Sequence, residues 1–204
     1  MPIPDRGDPV VGFPAVAASD ARALILGTAP SVLSLRAGEY YAHPRNAFWR
    51  IMEALFAPSP GLDYAARKDV LLQSKVALWD VLHSAERPGS LDSSIVAKTV
   101  VVNDFAGFFE QHPGIRAVFF NGEAARTLWD RHVAAILPVA AQLSCVTLPS
   151  TSPANARLTV ADKVEAWRVV VYAVGDDGLL LDEIEKQQAI IAEAIRELRS
   201  FSGQ

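Results

Sequence analysis

The sequence predicts an α/β fold, a three-layer α/β/α sandwich built on a central four-stranded parallel sheet. Four short apolar runs rich in β-branched residues are typical of buried strands. Helical patterns separate these runs, and a helix between two strands forms a crossover that leaves the strands parallel. A parallel sheet carries helices on both faces, which gives the three layers.

The predicted elements follow one another in a regular order. The strands span residues 23–26, 76–79, 117–120 and 144–148, and the helices span 46–56, 103–111, 123–133 and 160–174. Thr159 lies three residues before Asp162 at the start of the fourth helix, a spacing related to the capping box. A further helical pattern over 179–201 carries an apolar stripe, which favours either packing on the core or binding of a partner.

The chain length suits one domain, which we place at residues 22–175. Residues 1–21 are predicted to be a flexible lead-in, and residues 176–204 an acidic helical extension. Seven acidic and three basic residues fall in 176–204, so this extension accounts for the net charge of −4 and residues 1–175 are neutral. A neutral domain excludes strong non-specific binding to DNA, because such binding needs many lysine and arginine contacts to phosphate.

The composition also excludes several classes of protein. No apolar run reaches the roughly 20 residues of a membrane span, and residues 1–10 lack the apolar part of a secretory signal. We therefore expect no membrane association and a cytoplasmic location. The single cysteine, Cys145, is typical of a buried strand thiol and allows no disulfide within the chain. The four histidines are scattered and no P-loop occurs, so we expect neither a metal nor another cofactor.

Polar or turn-forming residues follow every predicted strand. Residues 27–31 read Gly-Thr-Ala-Pro-Ser, Asp80 follows the second strand, Asn121 and Gly122 follow the third, and residues 149–155 follow the fourth. The carboxyl ends of parallel strands lie at one edge of the sheet, where open α/β sheets bind their ligands. The sequence therefore predicts one binding site at this edge.

Asn46 and Asp80 are the main candidates for chemistry at this site. Asn46 stands at the start of the first predicted helix, where asparagine is commonly an N-cap. If Asn46 faces the site instead, its neutral amide can orient a water molecule. Asp80 is either a helix cap or a carboxylate that contacts a purine edge or stabilises a cationic sugar. The residues alone leave both pairs of alternatives open.

Aromatic and hydroxyl side chains complete the candidate site. Tyr40 and Tyr41 are either core residues or a wall on which a base stacks. The loop 149–155 is either a helix cap or a phosphate-binding loop whose tip enters a duplex, with Arg157 beside it. The side chains expected to contact DNA are Ser31, Ser150, Thr151, Ser152, Asn155 and Arg157.

These segments resemble the motifs of the uracil-DNA glycosylase superfamily, and specifically its hypoxanthine-DNA glycosylase branch. The resemblance covers residues 22–174 and is carried by residues 27–31, 43–49 and 148–155, in the order and at the spacing of the family. It implies a uracil-DNA glycosylase-like fold and a role in base excision repair. The implied activity is hydrolysis of the N-glycosidic bond of deaminated bases, chiefly hypoxanthine, in double-stranded DNA, without a cofactor.

Two positions depart from the better-known branches of this superfamily. Ala29 stands where those branches carry an aspartate or asparagine that activates water, and Leu148 stands where the uracil-specific enzymes carry histidine. The resemblance therefore implies that Asn46 positions the water and that activity on uracil is feeble or absent. Two alternatives stay open, a glycosylase for uracil, xanthine or mismatched thymine and a non-catalytic lesion-binding protein of the same fold.

The resemblance also implies roles for neighbouring residues. The damaged nucleotide leaves the duplex, and its base stacks on Tyr41, with Tyr40 beside it. Backbone amides near Ala29, Ser31 and Ser150 are expected to donate hydrogen bonds to the leaving base. No lysine nucleophile is evident in the sequence, so we expect base removal without strand cleavage.

Overall fold

The computed structural model describes residues 9–175 together with Lys186. Its strands are β1 (Pro9–Val11), β2 (Ala23–Gly27), β3 (Val76–Asp80), β4 (Leu82–Glu86), β5 (Val101–Val102), β6 (Ala117–Asn121) and β7 (Ser144–Leu148). Its α-helices are α1 (Val32–Ala37), α2 (Phe48–Phe56), α3 (Tyr64–Gln73), α4 (Phe105–Gln111), α5 (Glu123–Trp129), α6 (Val160–Trp167) and α7 (Val169–Val174). The predicted acidic extension and its helix lie outside the described residues.

The central sheet is parallel and four-stranded, in the order β3-β2-β6-β7, as the sequence predicts. Successive side chains of a strand point to opposite faces, so Ile25 enters one core cluster and Leu24 the other. The first cluster contains side chains from α2, α6 and α7, and the second contains side chains from α4 and α5. The three-layer α/β/α prediction is therefore confirmed.

A second sheet was not predicted. It is antiparallel and three-stranded, in the order β1-β4-β5. Val81 alone separates β3 from β4, and the amides of Val81 and Leu82 donate to the carbonyls of Gly27 and Thr28 at 2.9 and 3.0 Å. These bonds hold the start of β4 against the end of β2. At three and two residues, β1 and β5 are too short for a periodic pattern.

The described half of the predicted lead-in is packed rather than flexible. Strand β1 pairs with β4, and Val16 exchanges two backbone hydrogen bonds with Leu78 at 2.9 and 2.8 Å. The carbonyl of Phe13 accepts hydrogen bonds from Tyr40 Oη (3.3 Å) and Trp79 Nε1 (3.0 Å). The folded part of the chain thus begins by residue 9, and the predicted boundary at residue 22 is corrected.

Several helix bounds also differ from the prediction. The helix expected over 160–174 divides into α6 and α7 at Arg168, and the helix expected over 123–133 ends in a π-turn at Asp130–Ala134. Helix α3 was missed because Leu71 is its one fully buried residue, which gives almost no amphipathic pattern. The capping box at Thr159 and Asp162 is confirmed, with both reciprocal bonds present. Among the described residues no helix has the length and apolarity needed to cross a membrane.

Candidate functional site

Residues 27–31 begin at the last residue of β2 and form the first-motif turn. The Arg87 side chain bonds to this turn. The buried Arg87 guanidinium donates to the carbonyls of Ala29 (3.3 Å) and Pro30, and it pairs with Asp92 at 3.4 Å. Thr28 Oγ1 donates to the same Asp92 carboxylate at 2.6 Å. Burial lowers the pKa of Arg87, while Asp92 and Asp80 oppose that shift. Sequence reasoning missed Arg87 because it follows β4, a strand that was not predicted.

Asp80 ends β3 at the carboxyl edge of the sheet, where its Cα is the partner of Gly27 in the β2–β3 register. Its side chain is buried, and Oδ2 has no hydrogen-bond partner within the described part of the chain. Burial raises the pKa of this carboxyl to about 7; the positive charge of Arg87 opposes the shift and Asp92 adds to it. Because β4 and not a helix follows Asp80, the helix-cap alternative is excluded, while the contact with a base stays a prediction. Near neutral pH the neutral and charged forms of this carboxyl are both populated.

The Tyr41 hydroxyl lies close to Gly27, as the Asp80 carboxyl does. A Cβ built on Gly27 would lie 2.8 Å from Tyr41 Oη and 2.4 Å from Asp80 Oδ1, so both polar groups crowd this glycine. The Tyr41 ring stacks on Phe48 with centroids 4.1 Å apart, and its buried hydroxyl lies within reach of the Asn121 side chain. Burial, and secondarily Asp80, raise the pKa of this phenol. Tyr41 also has φ +53°, a strained conformation that is enriched at functional sites.

Tyr40 does not face the site. It is buried in the core, its ring packs edge-on against Phe13 with centroids 5.2 Å apart, and its hydroxyl donates to the carbonyls of Phe13 and Pro14. Its own carbonyl accepts a hydrogen bond from Trp49 Nε1 at 2.7 Å. The expectation that Tyr40 contacts a base is therefore corrected, and the core interpretation stands for this residue.

Asn46 lies in the turn before α2 and is half-buried. Its Oδ1 accepts a hydrogen bond from the Phe48 amide at 3.0 Å, so the side chain bonds the first residue of α2 from the position before the N-cap residue, Ala47. An amide oxygen has two lone pairs, and this bond leaves one lone pair and the Nδ2 hydrogens outside it. The next residue, Ala47, donates its amide to the carbonyl of Thr151 at 3.0 Å. The start of α2 is thereby joined to the loop after β7.

Asn121 ends β6 and is the second residue that the sequence reasoning undervalued. Its Nδ2 donates to Thr151 Oγ1 at 2.9 Å, and its Oδ1 accepts from the Thr151 amide at 2.8 Å. These two bonds fix the loop after β7 to the end of β6. Position after a strand was a signal for Asn121, but the following Gly122 favoured a simple turn.

Residues 148–155, the second-motif loop, are held largely by their own bonds. Ser150 Oγ accepts from the Ser152 amide at 3.2 Å, Ser152 Oγ accepts from the Ala154 amide at 3.3 Å, and Asn155 Nδ2 donates to the Ser150 carbonyl at 3.4 Å. The buried Lys163 donates from Nζ to the Asn155 carbonyl at 2.8 Å. The loop is thus a fixed surface at the sheet edge.

The residues expected to contact DNA fall into two groups. Thr151 is buried with its hydroxyl engaged by Asn121, and this placement corrects the expected phosphate contact. The hydroxyl of Ser31 accepts from the Ser34 amide at 3.1 Å and caps α1. Arg157 is exposed beside the loop, and its contact with DNA stays a prediction. Leu148 lies in the first core cluster, so no titratable group stands at its position.

Within residues 9–175 and 186, no group of histidine, cysteine and acidic side chains has the arrangement of a metal site. At the sheet edge the carboxyl of Asp80 and the phenol of Tyr41 meet over Gly27, and the Asn121 amide lies beside the phenol. Such groups can bind and orient a planar heterocycle and a water molecule by hydrogen bonds and stacking.

A parallel sheet whose carboxyl edge carries these two motif loops defines a protein of the uracil DNA glycosylase type. The family model for the Uracil DNA glycosylase superfamily matches residues 13–171, and the chain belongs to that superfamily. The match begins before the boundary we predicted from sequence, in agreement with the packed segment that precedes β2.

Two curated relatives and one solved structure are similar to this chain. The Hypoxanthine DNA glycosylase of Methanosarcina acetivorans is 34% identical over 162 residues, covering 78% of this chain and 96% of the relative. That of Methanosarcina barkeri is 34% identical over 113 residues, covering 55% and 70%. A solution NMR structure from M. acetivorans, described as a candidate uracil DNA glycosylase, has a TM-score of 0.65 at 30% identity and covers 80% of this chain and 99% of its own.

Proposed function

We propose that this chain is a monofunctional DNA glycosylase that removes hypoxanthine from deoxyinosine in double-stranded DNA, the first step of base excision repair. The relatives named hypoxanthine DNA glycosylase support this substrate. The observation that carries the proposal is the placement of Asn46. Position 29 of the first-motif turn offers only a methyl group, whereas Asn46 presents a half-buried amide in the segment between that turn and the second-motif loop.

The segment from Tyr41 to Phe48 bridges the two motif loops. Tyr41 Oη reaches Gly27 in the first-motif turn, the Phe48 ring stacks on Tyr41, and the Ala47 amide bonds to Thr151. A base that enters the site from the duplex meets the Tyr41 ring, and the deoxyribose then lies toward the start of α2. Asn46 Oδ1 accepts one hydrogen of a water through its remaining lone pair and directs the water oxygen at C1′.

The reaction is a hydrolysis with neutral groups at its centre. The C1′–N9 bond breaks with its electron pair on the purine, and the water oxygen bonds to the oxocarbenium carbon. The water keeps one proton in the new C1′ hydroxyl and loses the other to solvent, and the purine anion takes up one proton from solvent. The leaving anion is stabilised by hydrogen-bond donors fixed before the reaction. Neutral Asp80 is one such donor at the purine edge, because burial keeps part of its population protonated.

The test uses duplexes that carry one inosine, uracil or xanthine, followed by alkaline cleavage at abasic sites. We expect release of hypoxanthine, little release of uracil, and no strand cleavage before alkali. Asn46→Ala should abolish release and also lose the hydrogen bond to the Phe48 amide, which is worth about 1 kcal/mol. Asn46→Ser is the matched variant, because a serine hydroxyl can accept from the same backbone amide but carries no side-chain amide. Loss of release at wild-type stability in Asn46→Ser supports the proposal; full activity in either variant contradicts it.

A non-catalytic lesion-binding protein is the second candidate function. It is favoured by the hydrogen bond that already occupies Asn46 Oδ1 and by the methyl group at position 29. It predicts tight binding of inosine duplexes with no base release over hours at a large excess of protein. Base release under single-turnover conditions would exclude it.

The cytoplasmic location expected from the sequence stays a prediction.

A further inference from the structure

Lys163, in α6, is a buried cation without a carboxylate partner. It is 4% exposed, and its Nζ donates to the carbonyl of Asn155, the last residue of the second-motif loop, at 2.8 Å. An ammonium has three N–H donors, and this bond uses one of them. Burial of a charge is costly unless an opposite charge compensates it, and within residues 9–175 no carboxylate pairs with Lys163. Lys163 is therefore a charge that an anion would stabilise.

Arg50, in the first turn of α2, brings a second positive charge close to Lys163. Burial, and secondarily the charge of Arg50, lower the pKa of the Lys163 ammonium, so the two cations lie near enough to repel each other. Arg50 is exposed, and it too has no carboxylate partner in the described part of the chain. Other arginines of the described residues do pair with carboxylates, namely Arg67, Arg87, Arg126 and Arg168. The repulsion between Arg50 and Lys163 costs stability, and an anion bound to both would relieve it.

The two cations lie where the start of α2 meets the second-motif loop. The Ala47 amide, three residues before Arg50, donates to the Thr151 carbonyl of that loop at 3.0 Å. Side chains of a helix tilt toward its N-terminus, which directs Arg50 toward this contact. Asn46, which the proposed function places at C1′, directly precedes Ala47. Because a phosphate adjoins each side of a deoxyribose, the DNA strand would bring an anion to this part of the site.

We propose that Arg50 and Lys163 together bind one phosphate of the DNA strand that carries the extruded nucleotide. Arg50 donates hydrogen bonds to the phosphate oxygens from the surface, and Lys163 stabilises their charge from its buried position. This inference rests on the proposed function, because it assigns an anchor for the strand whose sugar lies at Asn46. A free phosphate ion has the same chemistry, and the experiment distinguishes the two sources.

The experiment measures binding of duplexes in which a neutral methylphosphonate replaces one phosphate at a time on either side of the lesion. The lesion is 2′-fluoro-deoxyinosine, whose glycosidic bond resists hydrolysis, so the base stays attached. At one position the neutral linkage should weaken binding to the wild type about tenfold. In Arg50→Gln the same replacement should cost almost nothing, because the partner of that phosphate is already gone. The slope of log K against log salt should also fall by about 1 in this variant.

Two further variants complete the design. Arg131→Gln is the matched control, because Arg131 is exposed and follows α5, a helix that starts after β6 and runs away from the carboxyl edge. It should keep the wild-type methylphosphonate effect and salt slope. Lys163→Gln removes the buried charge but keeps an amide donor, and it should reduce the effect at the same phosphate. If Lys163→Gln does not fold, Arg50→Gln decides alone; its melting temperature should not fall, because the change removes a repulsion.

The outcomes separate this inference from the proposed function. Equal methylphosphonate effects in wild type and Arg50→Gln, no effect at any position, or failure to bind the duplex would overturn the inference. If inorganic phosphate raises the melting temperature of the wild type but not of Arg50→Gln, and methylphosphonates have no effect, the site binds a free ion and the DNA assignment is wrong. Binding does not require base release, so an inactive wild type with the expected binding pattern would defeat the proposed function alone.

Discussion

The carboxylate of Asp80 lies directly over Gly27, so close that a Cβ built there would stand 2.4 Å from Oδ1. The two residues are Cα partners at the ends of β2 and β3, and Tyr41 Oη would lie 2.8 Å from the same Cβ. A carboxyl from one strand and a phenol from the segment before α2 can therefore meet only because residue 27 has no side chain.

Gly27→Ala should displace Asp80 and Tyr41 without preventing folding. Both groups are buried, so neither can move aside without leaving its place in the site. We expect at least a tenfold loss of hypoxanthine release, equivalent to about 1.4 kcal/mol of transition-state stabilisation. Gly175→Ala is the matched control, because its Cβ would meet nothing closer than 3.4 Å. Wild-type activity in Gly27→Ala would show that the arrangement over this glycine is not used.

Asp80 should give the enzyme a pH dependence near neutrality. Its pKa is raised by burial to about 7, so the neutral, hydrogen-donating form is lost as the pH rises through that value. Single-turnover release should therefore decline between about pH 6 and 8, centred on this pKa. Asp80→Asn carries an amide that stays neutral, so its pH profile should be flat in that range. A flat wild-type profile would remove Asp80 from the reaction.

The same shift has a consequence for stability, and its sign follows from proton linkage. An unfolded aspartate has a pKa of about 3.9, so between that value and about 7 the folded protein binds the extra proton. The free energy of unfolding therefore falls as the pH rises through this interval. The melting temperature gained by Asp80→Asn should grow from pH 5 to pH 8. A gain that is independent of pH would contradict the raised pKa.

The sequence was sufficient for the parallel sheet because its signals are local and repeated. Buried strands such as β2 and β6 are continuous apolar runs, and β2, β3 and β6 end in a Gly, an Asp and an Asn that mark the binding edge. The two-residue β5 and the weakly amphipathic α3 carry no comparable signal. They form through tertiary packing, which the linear pattern does not encode.

The candidate site was predictable by position but not by orientation. Asp80 and Tyr41 meet over Gly27 at the sheet edge, whereas Tyr40 packs in the core and Thr151 bonds to Asn121. The backbone angles of a turn decide where the side chains of adjacent residues point. The φ of +53° at Tyr41 cannot be predicted from the residues around it. Arg87 could not be assigned because its role depends on the β3–β4 junction.

Arg87→Met should loosen the first-motif turn. The change removes donors from the carbonyls of Ala29 and Pro30 and leaves them buried without partners, at about 1–3 kcal/mol for each group that stays unsatisfied. We expect a lower melting temperature and slower base release together, measured by calorimetry and single-turnover kinetics. Arg168→Met, which removes an exposed pair with Glu165, is the control and should change neither. A stable, fully active Arg87→Met would show that the turn holds its shape unaided.

Thr151 and Arg157 should separate a structural role from a DNA contact. Thr151→Val keeps the shape of a buried side chain but removes the acceptor of Asn121 Nδ2, so the protein should lose about 1–3 kcal/mol of stability. Its DNA affinity should keep the same dependence on salt. Arg157→Gln should leave stability unchanged, because this side chain is exposed, and should reduce the slope of log K against log salt by about 1. A changed slope in Thr151→Val would restore the phosphate contact that its burial argues against.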